Sequence, residues 1–347
     1  MTTRPSITEH VARAGSHVTS YLASGPEAGP VAVFVHGWPE LAISWRHQLP
    51  LFAALGFRAI APDMRGYGRS SVYREHSEYA QQRIVADMVG LLDHLGRERA
   101  LWIGHDWGSP VVWNLASHHA ERCRAVANLC VPYRTIELGL EAAVALVDRD
   151  VYPADRYPAG QWDYMLYYQE RFAEATAAMD ADPRRLAKLL FRKGDPSGIG
   201  KPALTSQVRA MGGWFGGGPP PDVPRDDDVV SEEDLSAYAA ALARNGFFGP
   251  NSYYMNHAAN AAYARTAKNG GRLDLPVLFI AARYDYTCEA VTSQLAAPMR
   301  AHCSDLTETV VDGGHWLAQE RPREVNAALV KWLATRVGDF WPREGSA

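Results

Sequence analysis

The chain has 347 residues, of which 47% are hydrophobic and 21% are charged, and its formal net charge is −4. This is the composition of an ordinary globular protein, which excludes a disordered chain, a collagen and a coiled coil. The nearly balanced charge offers no field for nucleic acid or for an anionic membrane surface. At roughly 150 residues per domain, the length predicts two domains or one large domain with an insertion.

Short apolar runs alternate along the chain with amphipathic segments, which is the pattern of strands followed by helices. Residues 31–35 and 277–280 are apolar at every position, as in parallel strands that helices cover on both faces. The alternation predicts an α/β fold with a doubly wound, mostly parallel sheet. The predicted strands are residues 17–22, 31–35, 57–61, 101–104, 125–131, 277–282 and 306–311, and the predicted helices are residues 45–55, 81–95, 107–119, 289–301 and 322–337.

The alternation stops between residues 134 and 269, where the apolar spacing is helical and no good strand is found. We interpret residues 134–269 as a helical cap inserted into one core, which comprises residues 1–133 and 270–347. Residues 212–228 contain five Gly and four Pro, which favours a loop over helix or strand. Such a loop is usually a solvated surface segment, but it can also be a flap whose Trp214 and Phe215 touch the substrate.

A glycine-bounded turn, Gly104-His-Asp-Trp-Gly108, follows one of the predicted strands. It matches the strained strand-to-helix turn that exposes a nucleophile at the carboxyl edge of an α/β sheet, with aspartate where esterases carry serine. The plain alternative is an ordinary turn with Asp106 as a helix cap. A carboxylate that attacks a saturated carbon leaves an ester, which activated water can hydrolyse, whereas a serine would leave an ether. The turn therefore predicts Asp106 as a nucleophile toward a saturated carbon.

Two further strand ends provide a base and an acid. His315 lies in a Gly-flanked turn after the last predicted strand, and a neutral imidazole can take a proton from water near pH 7. Asp285 follows the preceding strand and can orient that imidazole. The chain has twelve histidines, and a loop aspartate is usually a turn former. The assignment therefore depends on the chain order of nucleophile, acid and histidine, each at a strand end.

A hydrolytic intermediate also needs donors for its oxyanion. The turn His36-Gly-Trp-Pro39 directly follows the strand at residues 31–35. We predict that the main-chain N–H groups of Trp38 and Trp107 form the oxyanion hole. A plain tight turn is the alternative for the first of these segments.

These motifs resemble those of the α/β-hydrolases and, among them, of the epoxide hydrolases. The resemblance implies the α/β-hydrolase fold with an inserted helical cap, and two cap tyrosines that hold the epoxide oxygen. The family pattern points to Tyr164, directly after Asp163, and to Tyr254, in a Gly-Pro-x-x-aromatic-Tyr segment. The motifs that carry the resemblance are His36-Gly-Trp-Pro39, Asp63-Met-Arg-Gly-Tyr-Gly-Arg-Ser70, Gly104-His-Asp-Trp-Gly-Ser109, Asp285 and Gly314-His-Trp316.

The chemistry gives its own reason for the tyrosines. An epoxide that opens leaves a basic alkoxide attached to the product, and a phenol with a pKa near 10 is un-ionised at neutral pH and can donate to it. Among the sixteen tyrosines, Tyr167, Tyr168 and Tyr253 are close neighbours of the two candidates, and packing is the common role of such residues.

The predicted function is the hydrolysis of an epoxide to a vicinal diol through a covalent ester on Asp106. A dehalogenase remains the alternative, because haloalkane dehalogenases share the aspartate turn. They typically carry Asn in place of Trp38 and lack the tyrosine pair, and haloacetate dehalogenases carry Arg in place of Trp107. A binding protein without activity is a third reading, but all three members of the triad are present.

We expect an apolar pocket lined by Trp162, Trp316 and Phe247, and hence a hydrophobic epoxide as substrate. The mechanism needs no cofactor, and the sequence contains no metal motif such as HExxH. The sequence shows no signal peptide, no apolar run of ~18 residues and no CxxC pair, so we expect a cytoplasmic protein without membrane or nucleic-acid partners. The oligomeric state is not readable from the sequence, and a homodimer stays open.

Overall fold

The computed structural model describes residues 5–342. The strands are β1 Thr8–Ala14, β2 His17–Ser24, β3 Val31–Val35, β4 Arg58–Pro62, β5 Ala100–His105, β6 Cys123–Leu129, β7 Leu273–Ala282 and β8 Cys303–Val311. The helices are α1 Leu49–Ala54, α2 Gln81–His94, α3 Gly108–His118, α4 Leu140–Val144, α5 Asp163–Asp180, α6 Pro183–Leu190, α7 Glu232–Asn245, α8 Phe248–Ser252, α9 His257–Arg265, α10 Ala297–His302, α11 Leu317–Glu320 and α12 Pro322–Arg336.

The strands form one sheet in the order β1-β2-β4-β3-β5-β6-β7-β8. β1 pairs antiparallel with β2, and β2 pairs antiparallel with β4, whereas the pairs from β4 to β8 are parallel. All residues of the central strands β3 and β5 are buried, as expected for strands covered on both faces. The carboxyl ends of the parallel strands meet at one edge of the sheet, where open α/β sheets bind their ligands.

Apolar clusters cover both faces of the sheet, because successive strand residues point to opposite sides. Val33 of β3 belongs to the cluster on one face, together with Met88 of α2. The next residue, Phe34, belongs to the cluster on the other face, together with Leu329 of α12. The predicted doubly wound α/β fold, with a mostly parallel sheet, is therefore confirmed.

Strand β1 was not predicted, and its burial explains why. Of its seven side chains, five are exposed, one is intermediate and one is buried. It pairs with β2 alone and lies at the edge of the sheet. Without a buried face, the strand lacks the apolar alternation that marks strands in a sequence.

Two predicted helices are wrong in extent. In place of a helix over residues 45–55, a short 3₁₀ turn spans Ala42–Trp45 and α1 begins at Leu49. In place of a helix over residues 289–301, only α10 is helical. The Glu289 carboxylate accepts hydrogen bonds from the main-chain N–H groups of Val291, Thr292 and Ser293, which closes a turn before a helix can start.

The chain between β6 and β7 contains the helices α4 to α9 and no strand in the described residues. Residues 212–228 form neither helix nor strand, as predicted. Helix α5 is interrupted at Arg171, which has φ −137° and ψ 41°. The division into a core and a cap at residues 134–269 stays a prediction. Within residues 5–342, the helices are all too short or too polar to cross a membrane.

Candidate active site

The turn between β5 and α3 holds Asp106 in a left-handed conformation, with φ +49°. This region is uncommon for residues other than glycine, and such strain clusters at functional sites. The flanking glycines are required by close approach: a Cβ on Gly104 would lie 2.4 Å from Asn128 Oδ1, and one on Gly108 would lie 2.2 Å from Val35 O. The turn therefore fixes the Asp106 side chain at the carboxyl edge of the sheet.

The loop after β3 brings main-chain donors to this carboxylate. The Trp38 N–H donates to Asp106 Oδ1 at 2.5 Å. A Cβ on Gly37 would lie 2.3 Å from the same Oδ1 and 2.6 Å from the Trp107 main-chain nitrogen. The carboxylate oxygen and the Trp107 amide thus border one small space beside Gly37. The two amides predicted for an oxyanion hole lie next to the predicted nucleophile.

The loops after β7 and β8 bring the predicted acid and base together. His315 Nδ1 lies 2.6 Å from Asp285 Oδ2, and His315 Nε2 lies 3.4 Å from Asp106 Oδ2. The second oxygen of Asp285 accepts hydrogen bonds from the N–H groups of Thr287 at 3.2 Å and Cys288 at 3.0 Å. The imidazole therefore lies between the two carboxylates, and main-chain N–H groups of its own loop hold the Asp285 carboxylate.

The electrostatics of this triad favour a charged imidazole. Burial lowers the pKa of His315, but the carboxylates of Asp285 and Asp106 outweigh burial and raise the pKa well above its usual value. Burial would raise the pKa of Asp285, yet the contact with His315 leaves that pKa below its usual value. Without a substrate, a positive ring thus lies between two negative groups.

The predicted cap tyrosines lie together beside Trp38 and Trp107, the residues whose amides border Asp106. The rings of Tyr164 and Tyr254 are 5.5 Å apart, and the Tyr254 ring lies 5.2 Å from Trp107 and 6.1 Å from Trp38. Burial raises the pKa of both phenols well above 10, and the charge of Asp106 adds to the shift. Both hydroxyls therefore keep their protons at neutral pH.

The neighbouring tyrosines use their hydroxyls elsewhere. Tyr253 donates to Arg65 O at 3.0 Å. Tyr168 points its hydroxyl at Met179 Sδ, 3.6 Å away, while its ring stacks on Tyr254 at 4.5 Å. These contacts give Tyr253 and Tyr168 supporting positions around Tyr254.

Two of the three predicted substrate-binding residues reach the site. Phe247 packs 6.5 Å from the Trp38 ring, and Trp316 packs 4.8 Å from the His315 ring. Trp162 does not: its indole N–H donates to Ala143 O at 3.1 Å, and within residues 5–342 its ring joins none of these aromatic contacts. Trp162 precedes Tyr164 by two positions, which places the two side chains on different sides of the same turn.

The glycine-rich segment also contributes to the site. The half-buried Trp214 stacks on Trp38 at 6.4 Å and lies 5.4 Å from Tyr164. Trp214 thus lies against aromatic residues of the site, whereas contact of Trp214 and Phe215 with the substrate stays a prediction.

Sequence reasoning missed a buried pair beside the triad. Glu40 Oε2 lies 2.7 Å from His105 Nδ1 and accepts from Gly37 N–H at 3.1 Å, while His105 Nε2 donates to His315 O at 2.7 Å. Burial favours the neutral acid, but the contacts with His105 hold the pKa of Glu40 at about 2. Glu40 directly follows the motif that ends at Pro39, and His105 lies inside the motif of Asp106, so a glutamate next to a buried turn is the signal that could have identified the pair.

Two groups near the triad have the spacing of metal ligands: His105, Cys130 and His315, and Asp285, Cys288 and His315. Their use as ligands has a cost, because burial raises the pKa of both thiols well above the usual value. His315 Nδ1 is also already hydrogen-bonded to Asp285. The geometry therefore favours the hydrogen-bonded triad over a thiolate metal site.

The sheet order, the strained turn and the triad define an α/β-hydrolase, and a family model for the alpha/beta hydrolase fold matches residues 30–322. Epoxide hydrolase A of Mycobacterium tuberculosis is 37% identical over 320 residues, covering 90% of this chain and 92% of the relative. Epoxide hydrolase B of the same organism is 32% identical over 350 residues, covering 92% and 96%.

A solved structure agrees with these relatives. The crystal structure of epoxide hydrolase A from Mycobacterium thermoresistibile matches with a TM-score of 0.77 and 34% identity, covering 95% of this chain and 99% of that one. The chain therefore belongs to the epoxide hydrolases of the α/β-hydrolase family.

Proposed function

We propose that this protein hydrolyses a hydrophobic epoxide to a vicinal diol through a covalent ester on Asp106. One observation carries the proposal: the Asp106 carboxylate lies 3.4 Å from a His315–Asp285 pair, and its charge acts on two buried, un-ionised phenols, those of Tyr164 and Tyr254. A carboxylate nucleophile, a base for water and donors for an alkoxide are the three parts that the reaction needs.

The two oxygens of Asp106 have different roles. Oδ1 accepts from the Trp38 N–H, so it becomes the carbonyl oxygen of the ester, held in the oxyanion hole. Oδ2 faces His315 and forms the bond to the epoxide carbon, from the side opposite the C–O bond. That bond breaks with its electron pair on oxygen, which takes a proton from Tyr164 or Tyr254.

Ester formation then changes the state of His315. The charge of Asp106 disappears, so one of the two carboxylates that raise the pKa of His315 is lost. The imidazolium can now return a proton to the phenolate and become a base. It takes a proton from water, whose oxygen attacks the ester carbon, and the Trp38 and Trp107 amides stabilise the oxyanion. Collapse breaks the ester C–O bond, and the departing alkoxide takes the proton of the His315 imidazolium to complete the diol. The proton of the restored carboxylic acid then passes to His315.

The hydrogen bond of the Trp38 indole disfavours halide release as the function. Its indole N–H donates to Asn251 Oδ1 at 3.0 Å, so it is already used and does not face a leaving anion. A leaving oxygen that stays attached to the product instead meets the hydroxyls of Tyr164 and Tyr254.

The setting of the enzyme is also part of the proposal. Tyr164 and Tyr254 both lie in residues 134–269, so we propose this segment as the cap that closes the site. The four cysteines are buried and unbridged, which fits the reducing cytoplasm. Gel filtration of the full chain tests the homodimer.

The test is a single turnover of styrene oxide by excess enzyme in ¹⁸O-labelled water. Attack of water on the ester places the label in Asp106 and leaves the diol unlabelled, which peptide mass spectrometry detects. Label in the diol alone would mean direct attack of water on the epoxide and would overturn the ester. Asp106→Ala should give no diol. A bromoalkane is run in parallel, and halide without diol would identify a dehalogenase.

A further inference from the structure

A second cavity lies between α4, α5 and α9, apart from the triad, and measures about 920 Å³. This size is ordinary for a small-molecule site. Leu166 of α5 lines the cavity and is two residues from both Tyr164 and Tyr168. At 3.6 residues per turn, it projects roughly 200° around the helix from each. The cavity is thus on the side of α5 that faces away from the catalytic phenols.

Small and apolar side chains create this space. Helix α9 closely approaches the residue before α4, Gly139, where a Cβ would lie 3.1 Å from His257 O and 3.3 Å from the Ala261 Cβ. Larger side chains would fill the gap between these segments. The apolar part of the wall comprises Leu138, Leu140, Val144, Ala145 and Leu166.

One buried polar side chain in the wall has no partner among residues 5–342. His257, the first residue of α9, is 9% exposed, and neither of its ring nitrogens has a hydrogen bond within this part of the chain. Burial lowers the pKa of His257 to about 4, so the ring is neutral near pH 7 and carries one N–H. Buried polar groups in native proteins are nearly always hydrogen-bonded, so this ring has capacity for a bound molecule.

The charged groups that line the cavity are predominantly positive. Arg149 donates to main-chain oxygens, such as those of Tyr157 at 3.0 Å and Pro158 at 3.2 Å, and pairs with no carboxylate in residues 5–342. Arg265, at the end of α9, has no ion pair in the same residues. Glu141 is the acidic residue of the lining. Two cations against one anion favour a ligand with a single negative charge.

We propose that this cavity is a second binding site, which takes an amphipathic monocarboxylate. The alkyl chain lies along the apolar wall, and the carboxylate accepts a hydrogen bond from His257 and faces Arg265. The proposal does not depend on the reaction at Asp106, because the cavity and the triad are on opposite sides of α5.

The experiment is calorimetric titration of the full chain with octanoate and with 1-octanol. Octanoate should bind saturably and at least about tenfold more tightly than the alcohol. Ala258→Trp fills the cavity and should abolish binding without changing styrene oxide turnover. Its matched control is Ala237→Trp, at an exposed alanine of α7, which should bind as wild type.

His257→Leu separates binding from folding. It should weaken octanoate about tenfold by removing the donor, while thermal stability should rise because a buried unpaired polar group is lost. His257→Gln restores an N–H and should recover part of the affinity. Equal binding of alcohol and acid, normal binding by Ala258→Trp or no saturable binding would each overturn the proposal.

Discussion

The two cap phenols give the sharpest quantitative expectation. In the proposed reaction, Tyr164→Phe and Tyr254→Phe should each remove one donor to the alkoxide that forms as the epoxide opens. A hydrogen bond to a charged group contributes about 1.5–3 kcal/mol, which corresponds to a loss of roughly ten- to 150-fold in the rate of ester formation. The phenols are only 7% and 2% exposed, so the upper part of this range is expected, because the surroundings screen the interaction poorly.

The assay is stopped-flow tryptophan fluorescence in a single turnover of styrene oxide. The indoles of Trp38 and Trp107 lie next to Tyr254 and their main chains flank Asp106, so they report the ester as it forms. The double variant has neither donor and should form ester more slowly than either single variant.

Tyr253→Phe is the matched control. Its hydroxyl donates to Arg65 O at 3.0 Å, so its loss should cost about 1 kcal/mol of stability and leave ester formation nearly unchanged. If Tyr164→Phe and Tyr254→Phe stay within about twofold of wild type, the phenols do not serve the alkoxide. An equal loss in Tyr253→Phe would show that any change near Tyr254 acts through packing.

Three further outcomes are expected. Gly37→Ala places a Cβ 2.3 Å from Asp106 Oδ1, so steady-state turnover should fall about 10²- to 10³-fold while circular dichroism stays native. Glu40→Ala removes the buried carboxylate that accepts from His105 Nδ1 and from the Gly37 N–H, and should lower the unfolding free energy by about 3–5 kcal/mol in urea titrations; an unchanged midpoint would refute the role of this pair. The raised pKa of His315 contributes stability that is full below about pH 6.5 and is lost as the pH rises through the folded pKa. The melting temperature of wild type should therefore fall more steeply toward alkaline pH than that of Asp106→Ala, and parallel curves would contradict the coupling.

Residues at strand ends could be predicted from the sequence because local and global signals coincide there. Asp106 and Asp285 follow buried apolar runs in β5 and β7, His315 follows β8, and parallel strands carry their carboxyl ends to one edge. A glycine-bounded turn and the chain order were enough to select them. No pairing between distant segments had to be known.

Positions whose role depends on the direction of a side chain were less predictable. Trp162 and Tyr164 are two residues apart, yet the indole N–H of Trp162 donates to Ala143 O of α4, whereas the Tyr164 ring packs against Tyr254. The composition of the segment does not distinguish them. Similarly, the turn at Glu289 depends on one carboxylate that accepts from three amides, which interrupts a pattern that otherwise reads as a helix.

The contact between Glu40 and His105 could not be predicted from the sequence, because it depends on which strands are neighbours. The residues are 65 positions apart and meet because β3 and β5 are neighbours in the sheet. Their hydrogen bonds reach Gly37 N–H on the oxyanion loop and His315 O on the base loop. Burial of a charged group has a large free-energy cost. Here main-chain groups of the neighbouring loops offset it: the Gly37 N–H donates to Glu40, and His315 O accepts from His105. The pair therefore links three loops that follow separate strands: the turn at Gly37, the turn before Asp106 and the loop of His315. Such links fix the positions of the predicted catalytic groups relative to one another.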